Sequence, residues 1–211
     1  MAKALQGMAN REAVGGFILA GGRSSRMGRA KGLLMFAGEP LVVHVARLLE
    51  LTCGAPVIVG PPGAYATLGF RVVPDDGENF GPLGGIATAL RIATREWNLI
   101  VGCDLPFLTR EWIEFLISRA IDSRADVVIP LNERGFEPLC AMYRKGARPA
   151  IVSALDCGVR KITDGLAGLS LTTLAPAEWK AFDPEGRLFK NVNTPEDYDE
   201  ARQSLREETK S

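Results

Sequence analysis

Residues 16–20, with the sequence Gly-Phe-Ile-Leu-Ala, form a short apolar run that leads directly into the glycine pair Gly21-Gly22. Runs of this kind recur along the chain and are followed by residues that favour turns. Short apolar runs bounded by turn residues are typical of strands that are buried on both faces of a parallel sheet. The other runs occupy residues 56–59, 70–73, 98–101 and 125–129.

The segments between these runs carry apolar residues at helical spacing, which predicts amphipathic helices between the strands. Thr109 is the predicted N-cap of one helix, and Thr194 with Pro195 opens the last one. Strands that alternate with helices predict an α/β fold in which helices cover a sheet. The predicted apolar stripes are Leu41, Val45, Leu48 and Leu49; Ile86, Ala89, Leu90 and Ala93; Trp112, Phe115 and Leu116; and Tyr198, Ala201 and Leu205.

The segment at residues 137–143 departs from this alternation. It follows the run at residues 125–129 after a connection that is too short for the helix that joins two parallel strands. We therefore expect an antiparallel strand there, and a further strand at residues 169–174. The sequence predicts a single-domain, three-layer α/β sandwich with a mostly parallel mixed sheet. Residues 15–206 form this domain, and residues 1–14 are an N-terminal extension.

The composition excludes several classes of protein. The 211 residues contain 25 Lys and Arg and 25 Asp and Glu, so the net charge is zero. A balanced charge disfavours a nucleic-acid or anionic-membrane surface, and no stretch approaches the roughly 20 apolar residues of a membrane span. The four cysteines form no C-x-x-C pair, which argues against zinc and redox motifs. Because residues 1–14 lack the apolar run of a signal peptide, we expect a cytoplasmic protein.

The loop at residues 19–31 combines glycines with the positive charges of Arg23, Arg26, Arg29 and Lys31. Glycines let backbone N–H groups approach a ligand closely, and such loops form anion-binding nests. In a neutral protein this loop predicts a polyphosphate site, although a solvated basic loop would have the same composition. The spacing fits neither the G-x-x-x-x-G-K-[ST] loop of NTPases nor the G-x-G-x-x-G loop of dehydrogenases.

Other polar groups follow the predicted strands, where α/β proteins bind their ligands. Asp104 is the best candidate for a Mg²⁺ ligand, because Mg²⁺ combines one or two carboxylates with phosphate oxygens and water. Asp75 or Asp76 could contact a base, a ribose or the metal, and the glycine-rich residues 81–85 open a helix whose N-terminus favours anions. The asparagines of residues 191–193 could hold a sugar, a phosphate or a metal-bound water. Turn roles remain open for all of these, and His44 is assigned a structural role.

Together these segments resemble the molybdenum cofactor guanylyltransferase family, the MobA proteins. Five motifs occur in the family's order and cover nearly the whole chain. The first and third motifs alone would indicate only the wider group of sugar-nucleotidyltransferase-like proteins. The motifs are L-x-G-G-x-S-x-R-M-G-x-D-K at residues 19–31, G-P-L-x-G at 81–85, C-D-x-P at 103–106, Q/E-P-L-x-A-x-Y at 137–143 and N-x-N-T-P-E-D at 191–197.

The resemblance implies a Rossmann-like nucleotidyltransferase fold and transfer of GMP from GTP to molybdopterin, which yields molybdopterin guanine dinucleotide and pyrophosphate. It implies Mg²⁺ as the cofactor, held by Asp104, with Lys31, Arg26 and Asp104 as the catalytic residues. Transient contacts with proteins that deliver molybdopterin or mature molybdoenzymes are expected, and nucleic-acid or membrane partners are not. The expected binding residues are Leu19, Ala20, Gly21, Gly22, Lys31, Asp75 and Asp104 on the nucleotide side and Asn191 and Asn193 on the pterin side.

Two residues depart from the family pattern. Ala30 replaces an acidic residue beside Lys31, and Gly60 stands where some members have an asparagine that touches the nucleotide. Because this acidic residue is missing, one alternative is that the chain binds nucleotide without catalysing a reaction. A second alternative is a related nucleotidyltransferase that uses CTP or another phosphorylated acceptor.

Overall fold

The computed structural model describes residues 13–21, 30–77 and 80–208, and a mixed β-sheet forms its centre. The two longest central strands are almost entirely buried, as their apolar sequences require. The strands are β1 Val14–Leu19, β2 Met35–Phe36, β3 Glu39–Pro40, β4 Val57–Val59, β5 Arg71–Val73, β6 Trp97–Gly102, β7 Val127–Asn132, β8 Gly135–Phe136, β9 Cys140–Arg144 and β10 Leu171–Leu174.

Within the described residues, the order of the main sheet is β10-β7-β9-β6-β1-β4-β5, and the short β8 pairs with β7. β1 is parallel to β6 and β4, β4 to β5, and β10 to β7. β9 is antiparallel to both β6 and β7, because the chain returns through the tight β7–β8 hairpin and not through a helix. The antiparallel strand expected within residues 137–143 is therefore confirmed.

Helices cover both faces of the sheet and complete three layers. On one face, Ile18 and Ile58 pack with α1 and α4; on the other face, Phe17 and Ile100 pack with α3, α5 and α6. Alternate residues of β1 thus enter different cores, as the two-residue repeat of a strand requires. The helices are α1 Leu41–Cys53, α2 Pro62–Tyr65, α3 Gly81–Ile92, α4 Arg110–Ile121, α5 Arg148–Asp156, α6 Ile162–Gly165, α7 Pro176–Trp179 and α8 Pro195–Glu208.

Both predicted helix caps are present. The Thr109 hydroxyl accepts a hydrogen bond from the Trp112 amide at 3.2 Å, at the start of α4. At the start of α8, the Thr194 hydroxyl accepts from the Asp197 amide at 3.1 Å. Each hydroxyl satisfies a backbone donor that the helix itself cannot pair.

A small third cluster fastens the C-terminal part of the chain to the sheet. Phe36 of the β2–β3 hairpin, Leu41, Val192 and Ala201 are all buried in it. The Val192 amide also donates to the Asp104 carbonyl at 2.9 Å. The asparagine-rich segment before α8 is thereby brought to the end of β6.

The predicted α/β sandwich is confirmed, with element bounds that differ by a few residues. β1 begins at Val14 and not at residue 16, because Val14 and Gly15 pair with Trp97 and Asn98 of β6. Residues 1–12 lie outside the described residues, so the limits of the extension and of the domain stay predictions. Among the helices that the structure describes, none is long and apolar enough to cross a membrane.

Candidate functional site

The carboxyl ends of the parallel strands form one edge of the sheet, and most of the predicted site residues lie there. Backbone hydrogen bonds extend the ladders past the strand ends. The Ala20 amide donates to the Val59 carbonyl at 2.9 Å, and the Cys103 amide donates to the Leu19 carbonyl at 3.1 Å. These bonds fix the residues just before the glycine-rich loop and just before Asp104. The two segments are therefore held next to each other by the sheet itself.

Lys31, Asp104 and Asn193 meet at the centre of this edge. Lys31 Nζ lies 2.6 Å from Asp104 Oδ2 and 2.6 Å from Asn193 Oδ1. The side chains of Lys31 and Asp104 are each 18% exposed, so the ion pair is partly shielded from water. The predicted convergence of Lys31 and Asp104 is observed. The assignment of Asn193 to the pterin side stays a prediction, and its amide oxygen lies against the predicted phosphate and metal residues.

Gly102 leaves room for the Asp104 carboxylate. The position that a Cβ atom at Gly102 would occupy is filled by Asp104 Oδ1. One carboxylate oxygen is thus folded back onto the strand end, while the other, Oδ2, is the oxygen that meets Lys31. Sequence reasoning missed this role of Gly102, because a glycine at a strand end has many explanations.

Tyr65 joins the two ends of the glycine-rich loop. Its buried hydroxyl donates to the Ala20 carbonyl at 3.1 Å. A Cβ at Gly32 would lie only 3.0 Å from the Tyr65 hydroxyl oxygen. Burial raises the pKa of Tyr65 to about 12, so the phenol remains a hydrogen-bond donor across the neutral range. Gly60 also packs on this loop, since a Cβ there would lie 3.0 Å from the Ala20 carbonyl carbon and 3.3 Å from the Gly21 nitrogen.

Asp75 lies at the other end of this edge, over the start of α3. Its Oδ1 accepts a hydrogen bond from the fully buried Thr88 hydroxyl at 2.9 Å. Cβ atoms at Gly84 and Gly85 would lie 3.6 and 3.7 Å from its carboxylate oxygens. Asp75 is therefore held close to a glycine surface, while the neighbouring Asp76 pairs with Arg91 through both carboxylate oxygens.

His44 supports the loop that follows Asp104. Its Nε2 lies 3.0 Å from the Pro106 carbonyl, and its Nδ1 lies 3.5 Å from Glu39. The ring also makes an edge contact with Phe36, with centroids 5.1 Å apart. The histidine thus ties α1 to the C-D-x-P segment, which agrees with the predicted structural role.

Glu137 is a second carboxylate near Asp104 that sequence reasoning did not single out. Burial raises the pKa of Glu137, and the negative charge of Asp104 raises it further. Asn132 donates to Glu137 Oε1 at 2.5 Å and fixes the carboxylate. The sequence signal that points to Glu137 is its place in the Q/E-P-L motif.

The remaining predicted residues fall into three groups. The Leu19 side chain packs on Gly85, where a Cβ would approach it to 3.1 Å. Asn191 precedes the Val192 contact with Asp104, and its Oδ1 is buried without a hydrogen-bond partner among the described residues. Gly22 and Arg26 lie outside the described residues.

The donor set fits Mg²⁺. Asp104 Oδ2 and Asn193 Oδ1 converge on one ammonium group, so two hard oxygen donors already surround a cation position. In the described parts of the chain, no group of three or more His, Cys, Asp or Glu side chains could hold a metal ion. A site with few protein donors matches Mg²⁺, which keeps several waters and binds substrate phosphates.

Known proteins have a similar sequence. The model of the MobA-like NTP transferase domain matches residues 16–170. A probable molybdenum cofactor guanylyltransferase of Pelotomaculum thermopropionicum is 35% identical over 188 residues, which cover 89% of this chain and 91% of that protein. A protein of the same name from Flavobacterium johnsoniae is 35% identical over 151 residues, which cover 72% of this chain and 79% of that protein.

Solved structures show the same fold. Molybdopterin-guanine dinucleotide biosynthesis protein A from Archaeoglobus fulgidus superimposes with a TM-score of 0.80 at 26% identity, covering 91% of this chain and 98% of that one. The 2-C-methyl-D-erythritol 4-phosphate cytidylyltransferase of Thermus thermophilus has a TM-score of 0.66 at 15% identity, over 90% and 98% of the two chains, and shows the fold alone. From its sequence match and its fold, the chain belongs to the family of MobA-like NTP transferase domains.

Proposed function

We propose that this protein is a molybdenum cofactor guanylyltransferase, which transfers GMP from GTP to molybdopterin and releases pyrophosphate. The observation that carries the proposal is the meeting of Lys31, Asp104 and Asn193 at the strand ends, with a cation position between two oxygen donors. The names of the relatives from Pelotomaculum and Flavobacterium support guanylyl transfer. They weigh against the alternatives of CTP and of a non-catalytic protein.

The nucleotide would lie on the side of the glycine-rich loop. Leu19, Ala20 and Gly21 line the end of β1, and their backbone is held by β4 and by Tyr65. Asp75, fixed by Thr88, would contact the nucleoside. Gly22 and Arg26 are proposed to complete the phosphate site together with Lys31. A loop that presents backbone N–H groups and cations suits a triphosphate.

The acceptor would lie on the other side of Asp104, towards β9 and α8. Asn191 has a buried amide oxygen without a partner among the described residues, which makes it a candidate to receive an N–H donor. Asn193 lies between this region and Lys31. Such an arrangement would bring the phosphate of the pterin next to the α-phosphorus of GTP.

The reaction asks for positioning and charge neutralisation more than for covalent chemistry. An oxygen of the molybdopterin phosphate forms a bond to the α-phosphorus of GTP, and the bond from this phosphorus to the pyrophosphate oxygen breaks. Lys31 and Arg26 would stabilise the charge on the equatorial and leaving oxygens. Asp104 and Asn193 would hold Mg²⁺, which supplies further neutralisation of the phosphate charge when it is bound. A phosphate nucleophile is already ionised near neutral pH and needs no general base.

The cell context is inferred from the same chemistry. We infer a cytoplasmic enzyme that transiently meets the proteins that deliver molybdopterin and those that mature molybdoenzymes. Cys103, Cys140 and Cys157 are free thiols, as expected in a reducing compartment. The balanced charge supports partners other than nucleic acids or membranes.

The direct test measures pyrophosphate release with molybdopterin, Mg²⁺ and a panel of GTP and CTP. We expect turnover with GTP, and we expect Asp104→Ala and Lys31→Ala each to lower it by about 10²–10³ with the fold intact. Asp156→Ala, which removes an exposed carboxylate at the end of α5, is the matched control and should keep wild-type turnover. Wild-type GMP transfer by purified Asp104→Ala would disprove the metal assignment, and nucleotide binding without pyrophosphate release would favour a non-catalytic protein.

A further inference from the structure

We propose that Lys31 occupies the divalent-cation position in the nucleotide-free protein and competes there with the metal. The inference rests on the proposed function, since it takes Asp104 and Asn193 as the oxygen donors for the metal. It adds that Lys31 controls when a divalent cation can bind at this site. Lys31 then occupies the cation position in the nucleotide-free protein and binds phosphate once the nucleotide is present.

The geometry places the ammonium where a metal ion would be held. Lys31 Nζ is 2.6 Å from Asp104 Oδ2 and 2.6 Å from Asn193 Oδ1, so both oxygens direct their lone pairs at the same cation. These residues are 73 and 162 positions from Lys31 in the sequence, so the contact is made by the tertiary fold alone. These two oxygens accept hydrogen bonds from the ammonium of a side chain that is only 18% exposed.

The two oxygens of Asp104 have different neighbours. Its Oδ1 is folded onto Gly102, in the space that a Cβ atom would fill. Oδ2 is therefore the carboxylate oxygen that faces the donors of the site, and Lys31 already uses it. A divalent ion held by both Asp104 Oδ2 and Asn193 Oδ1 would need the place between these oxygens that the ammonium takes. The two like charges repel there, so the ammonium and the ion compete for it.

The surrounding charges favour a cation at this point. Asp104 and the nearby Glu137 are both acidic, and their mutual repulsion is among the reasons that the pKa of Glu137 is raised. Loss of the Lys31 ammonium would remove the cation that pairs with Asp104 at this point. The triphosphate of a nucleotide gives Lys31 new partners, so its departure from Asp104 would coincide with the arrival of phosphate oxygens for the metal.

The test measures Mn²⁺ binding to nucleotide-free protein through the electron paramagnetic resonance signal of the free ion. Lys31→Met removes the charge and keeps the length, and Lys31→Arg keeps the charge. We expect Lys31→Met to bind one Mn²⁺ at least about tenfold more tightly than wild type, and Lys31→Arg to stay near wild type. The double variant Lys31→Met with Asp104→Asn should lose the gain. Lys31→Gln serves as the neutral variant if Lys31→Met does not fold by circular dichroism.

Equal Mn²⁺ affinity in wild type and in the neutral variant would overturn the proposal, and so would a gain that survives Asp104→Asn. The outcome is separable from that of the proposed function. If wild type transfers GMP but the neutral variant gains no affinity, only the competition by Lys31 is disproved. If wild type transfers no GMP while the neutral variant still gains affinity, the competition stands and the guanylyl transfer fails.

Discussion

At the scale of single residues, the site depends on the conformation of one carboxylate. Asp104 is positioned from both sides: Gly102 leaves room for Oδ1, and Lys31 holds Oδ2. The backbone of Asp104 is fixed as well, because its carbonyl accepts the Val192 amide at 2.9 Å. Small changes next to this residue should therefore act on chemistry more than on stability.

The substitution Gly102→Ala tests this dependence. The added methyl group would take the place of Asp104 Oδ1, and the carboxylate can rotate away because it is the end of a flexible side chain. We expect a loss of turnover of about 10²-fold, comparable to removal of an electrostatic group, with a small change in melting temperature. Steady-state kinetics and thermal denaturation measure the two effects. A variant with wild-type turnover would show that Oδ1 need not lie on Gly102.

At the scale of elements, the N-terminus of α8 holds Asn193 in place. Asp197 Oδ2 accepts hydrogen bonds from the amides of Asn193 and Thr194, both at 2.9 Å. Thr194 in turn accepts from the Asp197 amide, so the two side chains cap the helix reciprocally. A residue of the site is thus positioned by the geometry of a helix end.

The cap makes a pH-dependent contribution to stability. The Asn193 amide is the main reason that the pKa of Asp197 lies below the ordinary value of 3.8. A depressed folded-state pKa means that the stabilisation is complete above about pH 3.8 and is lost as the pH falls through the lower folded value. We expect Asp197→Asn to lower the free energy of unfolding by about 1 kcal/mol at neutral pH, and the difference from wild type to vanish in strong acid.

Urea denaturation at a series of pH values measures this contribution. Asp199→Asn changes an exposed aspartate of the same helix that lies beyond the first turn, so it controls for net charge. A difference between Asp197→Asn and wild type that persists in strong acid would contradict the cap as its source.

At the scale of the whole molecule, the sandwich has an apolar core on each face of the sheet. Cys53, Cys103 and Cys140 are buried in one of them, and Cys157 is exposed at the end of α5. Burial raises the pKa of Cys103 and of Cys140 to about 12, so neither thiol ionises near neutral pH. Reactivity towards thiol reagents should follow this division.

We expect the native protein to react rapidly with Ellman's reagent at Cys157 and slowly at the other three thiols, with all four reacting in denaturant. The absorbance of the released thiolate counts the groups in each phase. Cys157→Ser should abolish the fast phase and leave the slow one unchanged. A fast phase of two or more thiols in the native protein would mean that the cores open more readily than their packing indicates.

Much of the fold followed from local properties of the sequence. The apolar runs at residues 16–20 and 98–101 predicted the two central strands, and Thr109 and Thr194 predicted helix caps that are present. The short connection before residues 137–143 predicted the reversed direction of β9. The glycine-rich basic loop and Asp104 predicted which strand ends carry the site.

The amino-acid sequence by itself determined the elements, their order and the residue types at the strand ends, because periodicity, capping and turn preferences act between near neighbours. Only the tertiary structure decided that Asn193 contacts Lys31 beside Asp104 and that Gly102 leaves room for the Asp104 carboxylate. It also decided that the Tyr65 hydroxyl binds the Ala20 carbonyl at the start of the glycine-rich loop. These contacts join residues that are far apart in the chain or depend on the space beside a backbone atom. Packing of the sheet and its helices sets such distances, and no local pattern of the sequence encodes them.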